Sequence, residues 1–248
     1  DQAAWNGWGT WLRDLANAGG TGGLNWHVHA ARSLARWLPT RELIAQCLAQ
    51  VQPTQTHLLL IGCSAGWMLP TPWLLRFRRI DVYDIDPLVI QMAQQKFTYL
   101  RDTAARTEVV LGDARLQLER ESAQGYDVLV VDAFSGDSVP IHLLTREAFA
   151  LYFKHLKPNG VLAVHITNRF LDLLPVLQTA ATHFGKTARL VEHEGQRSEL
   201  SFSSRWVLVS GDATFFDQPA LQAAQAIEPR AGFVPWRDDY SSLLSVLK

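Results

Sequence analysis

A glycine turn and three aspartates follow four successive β-rich runs of the sequence. The turn GCSAG occupies 62–66, and Asp84, Asp113 and Asp132 stand at or directly after the ends of the next three runs. Glycines let a backbone approach a ligand closely, and an acid about 20 residues further on can accept hydrogen bonds from ribose hydroxyls. Asp84 lies 22 residues after Gly62. Because ligands of open α/β sheets bind beyond the carboxyl ends of the strands, this arrangement predicts a nucleoside pocket.

The serine of this turn admits a second interpretation. Gly-x-Ser-x-Gly between a strand and a helix is also the nucleophile elbow of serine hydrolases, with Ser64 as the attacking group and Asp132 with His165 or His193 as its partners. Such an elbow normally follows several strands, whereas Ser64 follows the first clear one, and no oxyanion stretch of the HGGG type precedes it. His165 lies inside the apolar run GVLAVHI, which favours a buried core histidine. The nucleoside pocket is therefore the preferred interpretation.

Short β-rich runs and helical segments alternate after Pro53. Strands are predicted at 57–62, 79–84, 107–111, 126–132, 160–166, 188–193 and 205–210, and helices at 87–101, 114–122, 144–156 and 170–184. Several of the strands are continuously apolar, as expected for strands that are covered on both faces. The alternation predicts an α/β fold with a doubly wound, mostly parallel, Rossmann-like sheet.

Residues 1–52 differ from the rest and are predicted to form an irregular N-terminal arm and a helix, ahead of one catalytic domain at 53–248. The arm places several tryptophans around the glycine cluster GGTGG, and a homodimer contact through it is one expectation. The chain begins at Asp1 without an initiator methionine, so we expect it to be processed or cut from a longer protein.

The composition narrows the possible functions. Lys and Arg (23) nearly balance Asp and Glu (24), so no whole-molecule field attracts nucleic acid or an anionic membrane. The two cysteines, Cys47 and Cys63, favour a reducing compartment such as the cytoplasm. The sequence has no signal peptide pattern and no apolar stretch of about 18 residues. No set of His, Cys and Asp has metal-ligand spacing, so no metal is expected.

The segment 111–169 resembles the spermidine synthase family of aminopropyltransferases, and especially its minimal or membrane-fused bacterial members. It reads LGDARLQLERESAQGYDVLVVDAFSGDSVPIHLLTREAFALYFKHLKPNGVLAVHITNR. The resemblance extends over roughly 57–210, and WRDDYSSLLSVLK at 236–248 is also similar to the end of those proteins. It implies the class I S-adenosylmethionine-dependent transferase fold, with a seven-stranded sheet whose last strand is antiparallel.

The resemblance implies a role for each residue at the strand ends. Decarboxylated S-adenosylmethionine, or S-adenosylmethionine itself, is the implied co-substrate, without a tightly bound cofactor, and a small amine is the implied acceptor. Asp132 matches the first aspartate of the family's Asp-Ser-Ser/Thr-Asp-Pro motif, which positions and deprotonates the amine. The residues implied to contact the co-substrate come from the glycine turn, the ribose site and the adenine site: Gly62, Ser64, Gly66, Asp84, Ile85, Asp113 and Ala114.

The chain departs from the family's pattern on the amine side. Ala65 replaces the acid of the family's glycine turn, and the second aspartate of the active-site motif falls on Ser135. Asp137, two residues on, takes that place if the loop follows a different path. A polyamine is a polycation that needs carboxylates along its channel. Further acids that could replace the missing carboxylates are Glu147, Asp238 and Asp239. The candidates for the Tyr-His pair of the family's N-terminal domain are His27 and His29.

Three functions are compatible with these residues. The first is transfer of an aminopropyl group from decarboxylated S-adenosylmethionine to an amine. The second is methyl transfer from intact S-adenosylmethionine to a small molecule, because Ala65 removes an acid that would repel the methionine carboxylate. The third is nucleoside binding without activity, as the cytoplasmic domain of a larger membrane protein.

Overall fold

A mostly parallel sheet covered by helices forms the part of the molecule that the structure describes. The computed structural model describes residues 57–62, 77–96, 100, 103–133, 140–194 and 203–248. The predicted arm and helix at 1–52, which includes His27 and His29, and the loop residues Ser64, Ala65, Gly66, Ser135 and Asp137 lie outside these ranges. Across the described ranges, no helix is long and apolar enough to cross a membrane.

The described strands form one sheet in the order β3-β2-β1-β4-β5-β7-β6-β8. The strands are β1 (His57–Ile61), β2 (Arg79–Asp84), β3 (Arg106–Leu111), β4 (Tyr126–Val131), β5 (Leu156–His165), β6 (Thr187–His193), β7 (Ser204–Ser210) and β8 (Gln225–Ala226). The helices are α1 (Pro87–Lys96), α2 (Ala114–Arg120), α3 (Arg146–His155) and α4 (Leu174–His183). The predicted α/β class with a mostly parallel sheet is confirmed.

The central strands β1 and β4 are buried on both faces of the sheet. Side chains that point to one face, such as Leu58 and Val128, pack with α1, whereas Leu59 and Leu129 point to the other face and pack with α2, α3 and α4. Alternate side chains of a strand point to opposite faces, so a strand with helices on both sides needs apolar residues at every position. This explains the continuous apolar runs of the sequence.

Two of the described strands run against the others: β7, the last of the seven predicted strands, as the family resemblance implies, and the short strand β8. β7 lies between β5 and β6 and pairs antiparallel with both. Beyond the seven predicted strands, the two-residue strand β8 pairs with β6 through Arg189 and Ala226. Two residues are too few to produce a periodic pattern, which is why the sequence does not predict this strand.

The helix predicted from 170 begins at Leu174, because the preceding residues make other contacts. Asn168 Oδ1 accepts hydrogen bonds from the backbone N–H groups of Phe170 and Leu171, each at 2.9 Å. Leu171 also forms an antiparallel bridge with Leu247. These contacts anchor the C-terminal segment beside the end of β5, so the helix cannot start earlier.

A buried carboxylate connects β2 to β4. The hydroxyl of Tyr126 donates to Asp81 Oδ2 at 2.7 Å, and Arg79 Nε donates to Asp81 Oδ1 at 2.8 Å. Asp81 is 1% exposed, so it needs both donors. Burial, together with the adjacent Asp81 carboxylate, raises the pKa of Tyr126. This network keeps the hydroxyl of Tyr126 protonated and holds two strands of the site in register.

Candidate active site

The carboxyl ends of β3, β2, β1 and β4 meet at one edge of the sheet, in that order. Backbone hydrogen bonds continue past the strands: Gly112 N donates to Asp84 O at 2.9 Å, and Gly62 N donates to Tyr83 O at 2.8 Å. Asp132 N donates to Ile61 O at 3.0 Å. The structure therefore places the predicted residues Asp113, Asp84, Gly62 and Asp132 along one line, next to each other.

Gly62 lies directly against Asp132. Its φ of +99° lies in the region that L side chains rarely adopt. A Cβ atom at this position would overlap the backbone oxygen of Asp132. Only glycine therefore allows the end of β1 to lie this close to the end of β4.

Asp84 and Ile85 follow β2 at the predicted ribose side. Asp84 Oδ1 accepts the backbone N–H of Asp86 at 2.9 Å, which fixes the turn before α1. Ile85 is 70% exposed, which leaves an apolar side chain uncovered beside a carboxylate. An acid next to an exposed apolar side chain suits a sugar that carries hydroxyls on one side and a base on the other.

Asp113 and Ala114 begin α2 at the predicted adenine side. Asp113 is the N-cap of the helix, and its Oδ1 accepts the N–H of Leu116 at 3.0 Å. The other oxygen, Oδ2, lies 2.8 Å from Nε2 of His142. Ala114 is buried, whereas the His142 side chain is 51% exposed. The sequence does not predict this role of His142, because nothing in the run PIHLL indicates that it folds back onto Asp113.

Arg115 holds His142 and the C-terminal segment next to this helix start. It donates to the His142 carbonyl at 2.9 Å and forms a two-point ion pair with Asp238. Thr145 also donates to Asp238 Oδ1 at 2.7 Å. Hydrogen bonds from Arg115 lower the pKa of Asp238 to about 2. Asp238 is therefore an ionised anchor for the segment that follows the buried Trp236.

The acids suggested as replacement amine ligands all make contacts of their own. Asp238 pairs with Arg115, and Asp239 pairs with Arg237 at 3.1 Å. Glu147 accepts from Arg146 at 2.9 Å and from the backbone N–H of Asp238 at 3.1 Å. Each of these carboxylates is thus already partnered by an arginine, so none is a ready counter-ion for an amine.

Asp132 is buried at the end of β4, with its two oxygens in different surroundings. Oδ1 lies 2.7 Å from Nδ1 of His165, and the Asp132 and His165 side chains are 3% and 4% exposed. Within the described residues, Oδ2 has no hydrogen-bond partner. A buried carboxylate oxygen without a hydrogen-bond donor destabilises the folded protein, so a donor from a bound substrate would satisfy Oδ2. Among the described residues, no cluster of His, Cys, Asp and Glu could hold a metal ion.

His165 is buried, as the sequence predicts, but it is more than a core histidine. In the sequence, a pairing of His165 with Asp132 is predicted only as part of a hydrolase triad. In such a triad, Nε2 of the histidine faces the serine. Here Nε2 lies 2.7 Å from Thr167 Oγ1. The pairing with Asp132 follows from the parallel register of β4 and β5, which places Val131 beside Val164.

The sheet order, the glycine turn and the line of aspartates define a protein of the class I S-adenosylmethionine-dependent transferase fold. A family model described as the spermine/spermidine synthase domain matches residues 38–189. The chain belongs to the spermine/spermidine synthase family.

Two kinds of curated relatives share this sequence pattern. The chain is 28% identical over 214 residues to a polyamine aminopropyltransferase of Vibrio vulnificus (strain CMCP6), covering 78% of the chain and 64% of the relative. It is 27% identical over 148 residues to putrescine N-methyltransferase 2 of Nicotiana tabacum, covering 58% of the chain and 41% of the relative. The chain thus spans less than two thirds of the length of both.

Two solved structures with a similar fold are a spermidine synthase and a probable spermidine synthase. The Thermotoga maritima spermidine synthase has a TM-score of 0.53 at 17% identity, covering 77% of this chain and 67% of that chain. A probable spermidine synthase from Corynebacterium glutamicum has a TM-score of 0.60 at 19% identity, covering 85% and 82%. At these identities the likeness shows the fold alone.

Proposed function

We propose that this chain is an aminopropyltransferase that moves an aminopropyl group from decarboxylated S-adenosylmethionine to a small amine. The observation that carries the proposal is Asp132. Its Oδ1 is held by His165, and its buried Oδ2 has no partner within the described residues, at the same sheet edge as Gly62. Membership of the spermine/spermidine synthase family supports this assignment.

The adenosyl group of the donor fits the row of residues on β1, β2 and β3. Gly62, Ser64 and Gly66 of the glycine turn are the proposed backbone contacts of the donor, and a Cβ atom at 62 would displace the neighbouring Asp132. Asp84 accepts hydrogen bonds from the ribose hydroxyls, and the exposed Ile85 contacts the sugar. Asp113 and Ala114, at the start of α2, receive the adenine amino group and ring.

Asp132 then positions the amine and takes its proton. The amine nitrogen forms a bond to the aminopropyl carbon, the bond from that carbon to sulfur breaks, and a neutral thioether leaves. An ammonium ion cannot attack, so one proton has to pass from the nitrogen to Asp132 Oδ2 before attack. Because the sulfonium is already activated, alignment of the two substrates provides the largest part of the rate. Ser135 and Asp137 are the proposed contacts for the far end of the amine.

A second candidate is methyl transfer from intact S-adenosylmethionine to the same amine. Two observations favour it: Ala65 stands where the family has an acid, and the chain is 27% identical to a putrescine N-methyltransferase. Without that acid, the carboxylate of the intact donor meets no like charge at the turn. The position of Asp132 serves either transfer.

We also propose that the activity is located in the cytoplasm. Only two cysteines, Cys47 and Cys63, occur in 248 residues, which suits a reducing compartment.

Product analysis by mass spectrometry distinguishes the two transfers. The protein is incubated with putrescine and either decarboxylated or intact S-adenosylmethionine, with Asp132→Asn as the control. We expect an amine enlarged by an aminopropyl group from the decarboxylated donor, and a large loss of it in the variant. A methylated amine from the intact donor would instead establish the second candidate. No product from either donor, with several diamines offered, would contradict both.

A further inference from the structure

His165 and Asp132 form a buried pair across adjacent strands. Asp132 follows the last residue of β4, and His165 is the last residue of β5. The 2.7 Å distance joins His165 Nδ1 to Asp132 Oδ1, and both side chains are less than 5% exposed. This contact leaves only Oδ2 of Asp132 for the amine.

Asp132 and Thr167 contact the two ring nitrogens of His165. Thr167 Oγ1 accepts the backbone N–H of Arg205 at 2.8 Å and lies 2.7 Å from His165 Nε2. An ionised carboxylate only accepts hydrogen bonds, so the 2.7 Å contact with Asp132 Oδ1 requires a proton on Nδ1. In the neutral imidazole Nε2 is then an acceptor, and the Thr167 hydroxyl has a proton to donate to it.

Trp206 fixes the plane of the His165 ring. The two residues are directly opposite in the antiparallel pairing of β5 and β7, and their rings stack with centroids 4.8 Å apart at 20°. Trp206 is itself buried, and its Nε1 donates to Ser204 Oγ at 3.0 Å. The stacking holds the imidazole in the orientation in which its Nδ1 faces Asp132.

We propose that His165 is a positioning residue that holds Asp132 Oδ1 through an Nδ1–H hydrogen bond and so directs Oδ2 to the amine. This proposal rests on the proposed function of Asp132. Without the donor, Oδ1 loses its buried partner and the carboxylate is free to rotate, so the amine is no longer aligned. Loss of the His165 donor should therefore lower kcat. The affinity for the adenosyl group, which is proposed to bind at β1, β2 and β3, should not change.

Substitutions at His165 and Thr167 separate positioning from simple core packing. His165→Leu removes the donor, and we expect kcat to fall about 100-fold. His165→Asn keeps an N–H donor near the position of Nδ1, so we expect it to recover at least part of that loss. Thr167→Val, which keeps the shape but loses the hydroxyl, should lower kcat, and Thr167→Ser should not. The matched control is His183→Asn, at an exposed histidine of α4.

The binding of methylthioadenosine, followed by thermal shift in the same preparations, shows whether each variant is folded and retains the nucleoside site. Equal kcat in His165→Leu, His165→Asn and the unaltered protein, with methylthioadenosine still bound, would overturn the proposal. A loss of methylthioadenosine binding that parallels the loss of kcat would also overturn the proposal, because the substitution would then disturb the whole site and not only the orientation of Asp132.

A spectroscopic measurement tests the geometry when no turnover is found. In protein labelled with 15N-histidine, the His165 signals are assigned by their absence in His165→Asn. We expect a protonated Nδ1 and an unprotonated Nε2, with a change of the Nδ1 signal in Asp132→Asn. The opposite tautomer would overturn the proposal even if the enzyme is active. If the expected tautomer were found in a protein that transfers neither an aminopropyl nor a methyl group, only the proposed function would be refuted.

Discussion

Gly62 lies against the backbone oxygen of Asp132, with no space between them for a side chain. The residue that follows β1 and the residue that follows β4 are thus fitted to each other. Gly62 and the proposed amine acceptor consequently form one site, in which a side chain added at 62 must move the backbone of Asp132.

Gly62→Ala should therefore lower both stability and activity. The positive φ of Gly62 costs an alanine about 1–2 kcal/mol, and the overlap with Asp132 adds to this. The control is Gly185→Ala, because Gly185 also has a positive φ, of +61°, but has nothing near its missing Cβ. We expect the control to lose stability in urea unfolding with kcat unchanged. If the two variants behaved alike in both measurements, the contact between Gly62 and Asp132 would be irrelevant to the site.

Asp113 has two roles that two substitutions can separate. It caps α2 through Leu116, and it is the proposed acceptor for the adenine amino group. Asp113→Ala should lose about 1 kcal/mol of stability from the cap and also weaken methylthioadenosine binding. Asp113→Ser should keep the cap but weaken the binding to a similar degree, as calorimetry can measure. Normal binding in Asp113→Ser would remove Asp113 from the adenine site.

The ion pair of Asp238 should make stability depend on pH in the acid range. Arg115 lowers the pKa of Asp238 from 3.8 to about 2 in the folded protein. A lowered folded pKa means that the ionised carboxylate stabilises the fold above 3.8, and that this stabilisation is lost as the pH falls toward 2. The Asp238 side chain is 45% exposed, so we expect Asp238→Asn to cost at most about 1 kcal/mol at neutral pH.

Urea unfolding at a series of pH values measures this contribution. The difference between the unaltered protein and Asp238→Asn should be constant above the ordinary pKa and shrink as the pH falls below it. Asp239→Asn removes the same charge from a more exposed neighbour and serves as the control. A difference that does not change with pH would show that the pair with Arg115 is not formed in solution.

Tyr126 should contribute to stability through its contact with Asp81. Tyr126→Phe leaves the buried Asp81 Oδ2 without its donor, and we expect a loss of about 1–3 kcal/mol in the free energy of unfolding. Tyr240→Phe changes a tyrosine that is 45% exposed and should have little effect. Equal stabilities of the two variants would mean that water or Arg79 replaces the lost donor.

The sequence predicts the fold well where a local pattern determines it. The apolar run of β1, HLLLI, and the aspartate that caps α2 can both be found by inspection. The start of α4 could not be found in this way, because it depends on the bridge between Leu171 and Leu247, which are far apart in the chain. The short strand β8 likewise exists only through its pairing with β6.

In the candidate site, too, the sequence predicts the residues that a local pattern marks but not the contacts between distant residues. Gly62, Asp84, Asp113 and Asp132 are recognisable because strand ends are local features and because parallel strands bring them to one edge. The partners of these residues depend on register and on loop paths. Nothing in the sequence shows that β4 and β5 align Asp132 with His165, or that the 3-10 helix at Ile141–Leu143 brings His142 to Asp113.

The rate of aminopropyl transfer in Asp132→Asn tests the proposed role of Asp132 most directly. The transfer from decarboxylated S-adenosylmethionine to putrescine is measured at saturating concentrations of both, with methylthioadenosine binding measured on the same protein. We predict a loss in kcat of at least about 100-fold, with methylthioadenosine bound as tightly as by the unaltered protein. An unchanged kcat in Asp132→Asn would contradict the assignment of Asp132 as the group that accepts the amine.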